Sequence, residues 1–168
     1  GRIETGDKTL NRFVRNVYWG QLSNYLSVPT DCPQRNERLG WSADTQVFCE
    51  AGAFNADTRS FFKKFTRDLR DSVCKDGGYP SVAPFAQYGN ETFSLGWADV
   101  GVIVPWTIWR QFGDTGIIND NWAAMSKFVR KIDEKKYDFE STLKYIYADW
   151  LSYETFETCG NGFGSWKK

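Results

Sequence analysis

Between Ser27 and Asp44 the chain places three carboxylates, Asp31, Glu37 and Asp44, beside Arg35, Arg38 and the indole of Trp41. Pro29, Pro33 and Gly40 interrupt the span, so most of it reads as loop rather than regular helix. Acids gathered around a flat aromatic ring are what sugar chemistry needs: proton donors, hydroxyl acceptors and a stacking surface. The plain alternative is a solvated turn whose charges pair locally, Glu37 with Arg38, at little energetic consequence.

The remaining composition narrows the chemistry. No histidine occurs among the 168 residues, which removes Ser-His-Asp and Cys-His catalysis and every histidine-based metal site. Cys32, Cys49, Cys74 and Cys159 show no Cys-x-x-Cys spacing and read as free thiols. Basic and acidic residues balance at 21 each, so no nucleic-acid or anionic-membrane surface is implied. The apolar run from Val100 to Trp109 is too short to span a bilayer and contains Pro105. No signal-peptide pattern opens the chain, and its start reads as mid-protein sequence, which leaves localisation open. Carboxylates, arginines, tyrosines and tryptophans remain, an inventory suited to glycoside hydrolysis or lyase chemistry.

The elements that must position these groups read as helices. Leu10, Phe13, Val14, Val17, Tyr18, Leu22, Tyr25 and Leu26 predict an amphipathic helix from Thr9 to Leu26, with Asp7 as its N-cap. Val47, Phe48, Ala51 and Phe54 mark a second helix entered at Ser42. A third, capped by Asp57, carries Phe61, Phe62, Phe65, Leu69 and Val73 opposite a solvated basic face of Arg59, Lys63, Lys64, Arg67 and Arg70. A glycine-rich turn at Asp76 opens a long loop that runs to Leu95. Trp97 to Phe112 predicts a buried fourth helix, kinked at Pro105, with Trp106 and Trp109 in the core. A fifth starts near Asn119, with Trp122, Met125, Phe128, Val129 and Ile132 inward. From Lys135 onward the periodicity weakens. The fold class is all-α, and alternating long loops and tight links imply helical hairpins with the long loops at one end.

Ser27-Val-Pro-Thr-Asp-Cys-Pro-Gln-Arg-Asn-Glu-Arg-Leu-Gly-Trp41, followed by Asp44, resembles the signature of bacterial and fungal α-L-rhamnosidases, glycoside hydrolase family 78. Asn11-Arg-Phe, Trp19-Gly-Gln, Asp76-Gly-Gly, Val82-Ala-Pro, Gly96-Trp-Ala-Asp99, Val102-Ile-Val-Pro-Trp106, Gly113-Asp and Asp149-Trp-Leu fall in that family's order. The resemblance implies that residues 1–168 are the N-terminal part of a six-hairpin (α/α)6 barrel, an incomplete or half barrel. It gives Glu37 the role of general acid. Asp31 and Asp44 match positions that hold sugar hydroxyls and would raise the pKa of Glu37 by like-charge repulsion. Arg35 would fix the loop by charge-assisted hydrogen bonds. Trp41, Trp97 and Trp150 match aromatic positions of the sugar pocket, where the methyl of rhamnose meets apolar rings. Asp99 and Asp149 are weaker candidates for hydroxyl contacts, with turn or capping roles as their alternative.

The family inverts configuration, and its general base, a glutamate on a later barrel loop, has no match at Glu154 or Glu157. Asn36 and Ser81 stand where the family often has acids. The resemblance implies an α-L-rhamnoside substrate, from a plant glycoside or polysaccharide, and the remaining half of the barrel as partner. With charge balanced, no nucleic-acid or membrane partner is expected; no cofactor is expected and no residue is assigned to a metal, with metal dependence left open. Two alternatives share these residues: a non-catalytic carbohydrate-binding module, and another (α/α)6 hydrolase with different sugar specificity.

Overall fold

The structure, a computed structural model, describes residues 3–87, 93–94 and 96–134. It divides into two compact units, Gly1–Phe128 and Val129–Lys168, and of the second only residues 129–134 are described. All regular structure among the described residues is helical: α1 (Lys8–Asn24), α2 (Ser42–Asn55), α3 (Arg59–Asp71), α4 (Val100–Phe112) and α5 (Thr115–Glu134). None of these helices is long and apolar enough to cross a membrane.

Side-chain contacts set the helix directions. Along α2 and α4, Gln46 meets Gly96, Cys49 Sγ lies 3.6 Å from Thr107 Oγ1, and Arg110 pairs with Glu50. Residue numbers rise together, so the two helices run parallel. Lys63 pairs with Asp114 at 2.9 Å, Arg70 donates to Asn121 Oδ1 at 2.7 Å, and Lys127 donates to the Lys75 carbonyl at 3.0 Å. The α5 helix therefore follows the direction of α3. The Arg59 guanidinium lies 5.5 Å from the Phe112 ring centre, which runs α3 against α4. Two parallel pairs of opposite sense, α2 with α4 and α3 with α5, make stacked helical hairpins.

The core lies where these pairs meet. Phe62, Phe65 and Leu69 of α3, Val100, Val104 and Ile108 of α4, and Ile117 and Phe128 of α5 are buried with Tyr79, Val82 and Phe93 from the long loop. Each such side chain stabilises the fold by about 1.5–3 kcal/mol. A side chain at Gly101 would put its Cβ 2.2 Å from the Tyr79 ring, so α4 approaches that ring only because residue 101 is glycine. Tyr25, just past α1, stacks on Phe61 at 4.5 Å and meets Phe48 edge-on at 6.0 Å, filling the space between α2 and α3.

Several boundaries and faces differ from the sequence reading. Asp7 caps α1 as expected, accepting from Thr9 N at 2.7 Å and Leu10 N at 3.2 Å. The helix ends at Asn24 rather than Leu26, because Tyr25 leaves helical geometry at ψ 69°. Its one buried residue is Gln21, which donates to the Gly52 carbonyl and accepts from Asn55 Nδ2, each at 3.0 Å. Leu10, Phe13, Leu22 and Leu26 are exposed. Thr58 takes the N-cap position of α3, and Asp57 instead accepts from Arg59 N at 3.1 Å. The α4 helix begins at Val100 because Gly96–Asp99 forms a turn, and it is buried on one face only. The α5 helix begins at Thr115, where Asp114 Oδ1 accepts from Gly116 N at 3.0 Å.

The expected core positions Trp106, Trp109 and Trp122 are corrected: they are 51%, 36% and 62% exposed. Val129 is likewise exposed. Helical spacing identifies a helix but does not choose between two apolar faces. Trp150, Asp149 and Cys159 lie outside the described residues.

Val47, Phe54, Ile103 and Trp106 leave α2 and α4 with apolar surface open to solvent. Surfaces of this kind drive association. Sedimentation velocity of the chain is expected to show a concentration-dependent rise in mean mass, reduced by Trp106→Lys. A single monomeric species at every concentration would contradict this.

Candidate functional site

The acidic loop closes on itself before it joins α2. Asp31 N donates to the Leu39 carbonyl at 3.1 Å, and Leu39 N returns to Asp31 Oδ1 at 3.3 Å. Arg38 makes the reversal possible with a φ of 53°, a left-handed conformation few non-glycine residues adopt, and its Nε reaches the Pro33 carbonyl at 3.4 Å. The loop is then pinned from below. Ala83 N donates to the Gly40 carbonyl at 3.0 Å, Ser42 N donates to the Ser81 carbonyl at 2.9 Å, and Ser42 Oγ repeats that bond at 2.9 Å. A Cβ at residue 40 would fall 2.0 Å from the Ala83 carbonyl oxygen. Only glycine allows this approach.

On that frame Glu37 is held at both carboxylate oxygens. Trp41 Nε1 donates to Oε1 at 2.7 Å, and Arg35 Nη2 donates to Oε2. The Glu37 side chain is 27% exposed and that of Arg35 62%. The partner is Arg35, and not the adjacent Arg38 that purely local pairing selects. An oxygen of Asp31, the Cys32 thiol and an oxygen of Glu37 lie within 4.8 Å of one another, the one group of this kind among the described residues. The neighbouring Asp31 carboxylate raises the pKa of the Cys32 thiol.

Asp44 stands in the first turn of α2. Partial enclosure of its carboxyl by surrounding protein raises its pKa, and the negative charges of Asp31 and Glu37 add to the rise. Asp31, Arg35, Glu37, Trp41 and Asp44 therefore share one patch. Trp97 and Asp99 lie on the turn before α4. There Gly96 N donates to Asp99 Oδ2 at 2.6 Å, the turn role that competed with hydroxyl binding for this aspartate. Trp97 is half-buried.

Sequence reasoning passed over Gln46, whose side chain joins α2 to the Gly96 carbonyl fifty residues along the chain. No local pattern announces a contact at that separation. Gly40 lay in the quoted signature, but its reason, the Ala83 carbonyl, is visible only in three dimensions.

A profile of the family described as the bacterial alpha-L-rhamnosidase 6 hairpin glycosidase domain matches residues 1–163. Over 164 residues the chain is 38% identical to an alpha-L-rhamnosidase of Formosa agariphila, covering 98% of this chain and 17% of that protein. Over 151 residues it is 39% identical to an alpha-L-rhamnosidase of Streptomyces avermitilis, covering 89% and 14%. Its fold matches the crystal structure of the Streptomyces avermitilis enzyme complexed with L-rhamnose, with a TM-score of 0.80 at 38% identity over 88% of this chain and 14% of that one. The native Aspergillus terreus alpha-L-rhamnosidase matches with a TM-score of 0.76 at 29% identity, over 88% and 17%. The chain thus spans less than a fifth of the length of these relatives.

The Gly40–Ala83 approach carries a prediction. Gly40→Ala must push the loop off the 81–83 segment, so it should lower unfolding stability by about 1–3 kcal/mol in urea. It should also weaken the Glu37–Trp41 contact, read as a change in tryptophan emission. Unchanged stability and emission would show that the close approach does not hold the loop.

Proposed function

This chain belongs to the bacterial α-L-rhamnosidase six-hairpin glycosidase family, and from that membership we propose that it forms the general-acid side of a site that hydrolyses terminal α-L-rhamnosyl residues. In this reading residues 1–168 are the N-terminal part of the catalytic barrel, which the rest of the barrel completes. The observation that carries it is Glu37, fixed at both oxygens among Asp31, Asp44 and Trp41.

The reaction needs a carboxyl that delivers a proton to the glycosidic oxygen as the C1–O bond breaks. The indole bond aims Glu37, and for Glu37 to work with its proton in place the bond from the largely exposed Arg35 must be released. Asp31 and Asp44 accept hydrogen bonds from sugar hydroxyls. Trp41, Trp97 and Trp150 offer rings to the apolar face and methyl of rhamnose. Inversion requires a second carboxylate, about 6.5–9.5 Å away, to activate water on the opposite face of the sugar. No residue of this chain is assigned that role. The substrate is an α-L-rhamnoside of a plant glycoside or polysaccharide.

Two experiments follow, both on the protein at its natural length. Glu37→Gln keeps the shape and can keep the bond from Trp41, but its amide nitrogen cannot accept from Arg35 and it carries no acidic proton. Its kcat on an α-L-rhamnoside with a poor leaving group should fall about 10²–10⁴-fold, with KM little changed. An undiminished kcat would remove Glu37 from the mechanism, and L-rhamnose binding with no turnover in the unsubstituted protein would favour a binding module.

Asp44→Asn separates function from stability. The folded-state pKa of Asp44 is raised, so its ionisation opposes folding, and that cost appears as pH rises through the ordinary carboxylate range. Removing the charge should raise Tm slightly at neutral pH, with no gain at low pH, while weakening L-rhamnose binding. A loss of Tm at neutral pH would contradict the assignment.

A further inference from the structure

Trp97 and Asp99 lie on a turn that is stitched to itself. Trp97 N and Ala98 N both donate to the Ser94 carbonyl, at 3.0 and 2.7 Å, and Gly96 N donates to Asp99 Oδ2 at 2.6 Å. Gly96 has a φ of +84°, which a side chain would strain. Behind the turn, Phe93 is buried and stacks on Phe128 with ring centres 5.5 Å apart. A piece so bonded moves as a unit, and its angle to α2 is set by whatever joins the two.

Gln46 makes the join at the turn itself, while Cys49 with Thr107 and Glu50 with Arg110 join α2 to α4 further along. The glutamine lies in the second turn of α2, two residues beyond Asp44, and its Nε2 donates to the Gly96 carbonyl. Its Oε1 is buried without a hydrogen-bond partner. A buried amide oxygen left this way costs stability, so an apolar side chain would serve packing better. What glutamine brings is the donor. We infer that Gln46 is a positioning residue which, through the Gly96 carbonyl, holds the Trp97–Asp99 turn beside the Glu37–Trp41–Asp44 patch, so that Trp97 and Trp41 meet one sugar. The inference rests on the rhamnoside reading above and adds to it a specificity determinant that does not itself touch the substrate.

The test uses Gln46→Glu, which keeps size and removes the donor, and Gln46→Met as a second variant should the first fold poorly, both in the protein at its natural length. Amide hydrogen exchange at residues 96–98 should quicken, with the other helices unchanged. The Kd for L-rhamnose, read by tryptophan fluorescence, should rise about three- to tenfold, the loss of one hydrogen bond. Combined with Trp97→Ala, the Gln46 substitution should add nothing further, because both act through the same ring. Unchanged exchange in both variants overturns the clamp. Faster exchange with an unchanged Kd, or effects fully additive with Trp97→Ala, overturns the positioning role and leaves a structural bond. Should the unsubstituted protein bind no L-rhamnose, the functional reading fails with the positioning role, and the exchange measurement still decides whether Gln46 holds the turn.

Discussion

The main chain at Gly40 meets the Ala83 carbonyl so closely that any Cβ there would overlap it, and around this contact the 40–42 and 81–83 segments exchange main-chain hydrogen bonds. The pairing is short, yet it ties the acidic loop to a segment in which Ser81, Val82 and Ala83 are fully buried. Backbone bonds of this kind are hard to give up once water is excluded. The loop thereby gains a rigid floor, and α2 starts from a fixed point. Trp41, which bridges to Val82, is at once the residue entering α2 and the ring that aims Glu37.

From that anchor the site is arranged at some cost to stability. Asp31, Glu37 and Asp44 crowd negative charge, Asp44 is held above its ordinary pKa, and Arg38 keeps a left-handed backbone. A chain selected for stability alone would relax each of these. Their coexistence beside an indole is what a preorganised polar site requires, since groups already oriented need not reorganise when substrate arrives. The parallel run of α2 and α4 serves the same end. It brings the start of α2 beside the turn that leads into α4, so residues from two distant loops can address one ligand.

The sequence made the helices legible because apolar spacing and end signals act locally. Asp7 capping α1 and Gly113 closing α4, in the left-handed conformation at φ 68°, are cases in point. Faces were less legible. The α1 helix has apolar residues on several sides, and the side it packs is that of Gln21, whose amide is satisfied by Gly52 and Asn55 of α2. The tryptophans at 106, 109 and 122 have helical spacing but point to solvent, because tertiary packing and not periodicity selects the face. Within the site, the composition of the 31–44 loop was readable. The choice of Arg35 over Arg38 was not, because it depends on the backbone reversal at Arg38. The Gln46–Gly96 bond was not, because its ends are fifty residues apart.

In the proposed reading L-rhamnose occupies the patch bounded by Glu37, Trp41 and Trp97. Fluorine NMR of protein labelled with 5-fluorotryptophan, titrated with L-rhamnose, tests it directly, with each resonance assigned by substitution. Saturable shifts are expected at Trp41 and Trp97, with little change at the outward-facing Trp106 and Trp122. Saturable binding that leaves Trp41 and Trp97 unmoved would place the sugar elsewhere and contradict it.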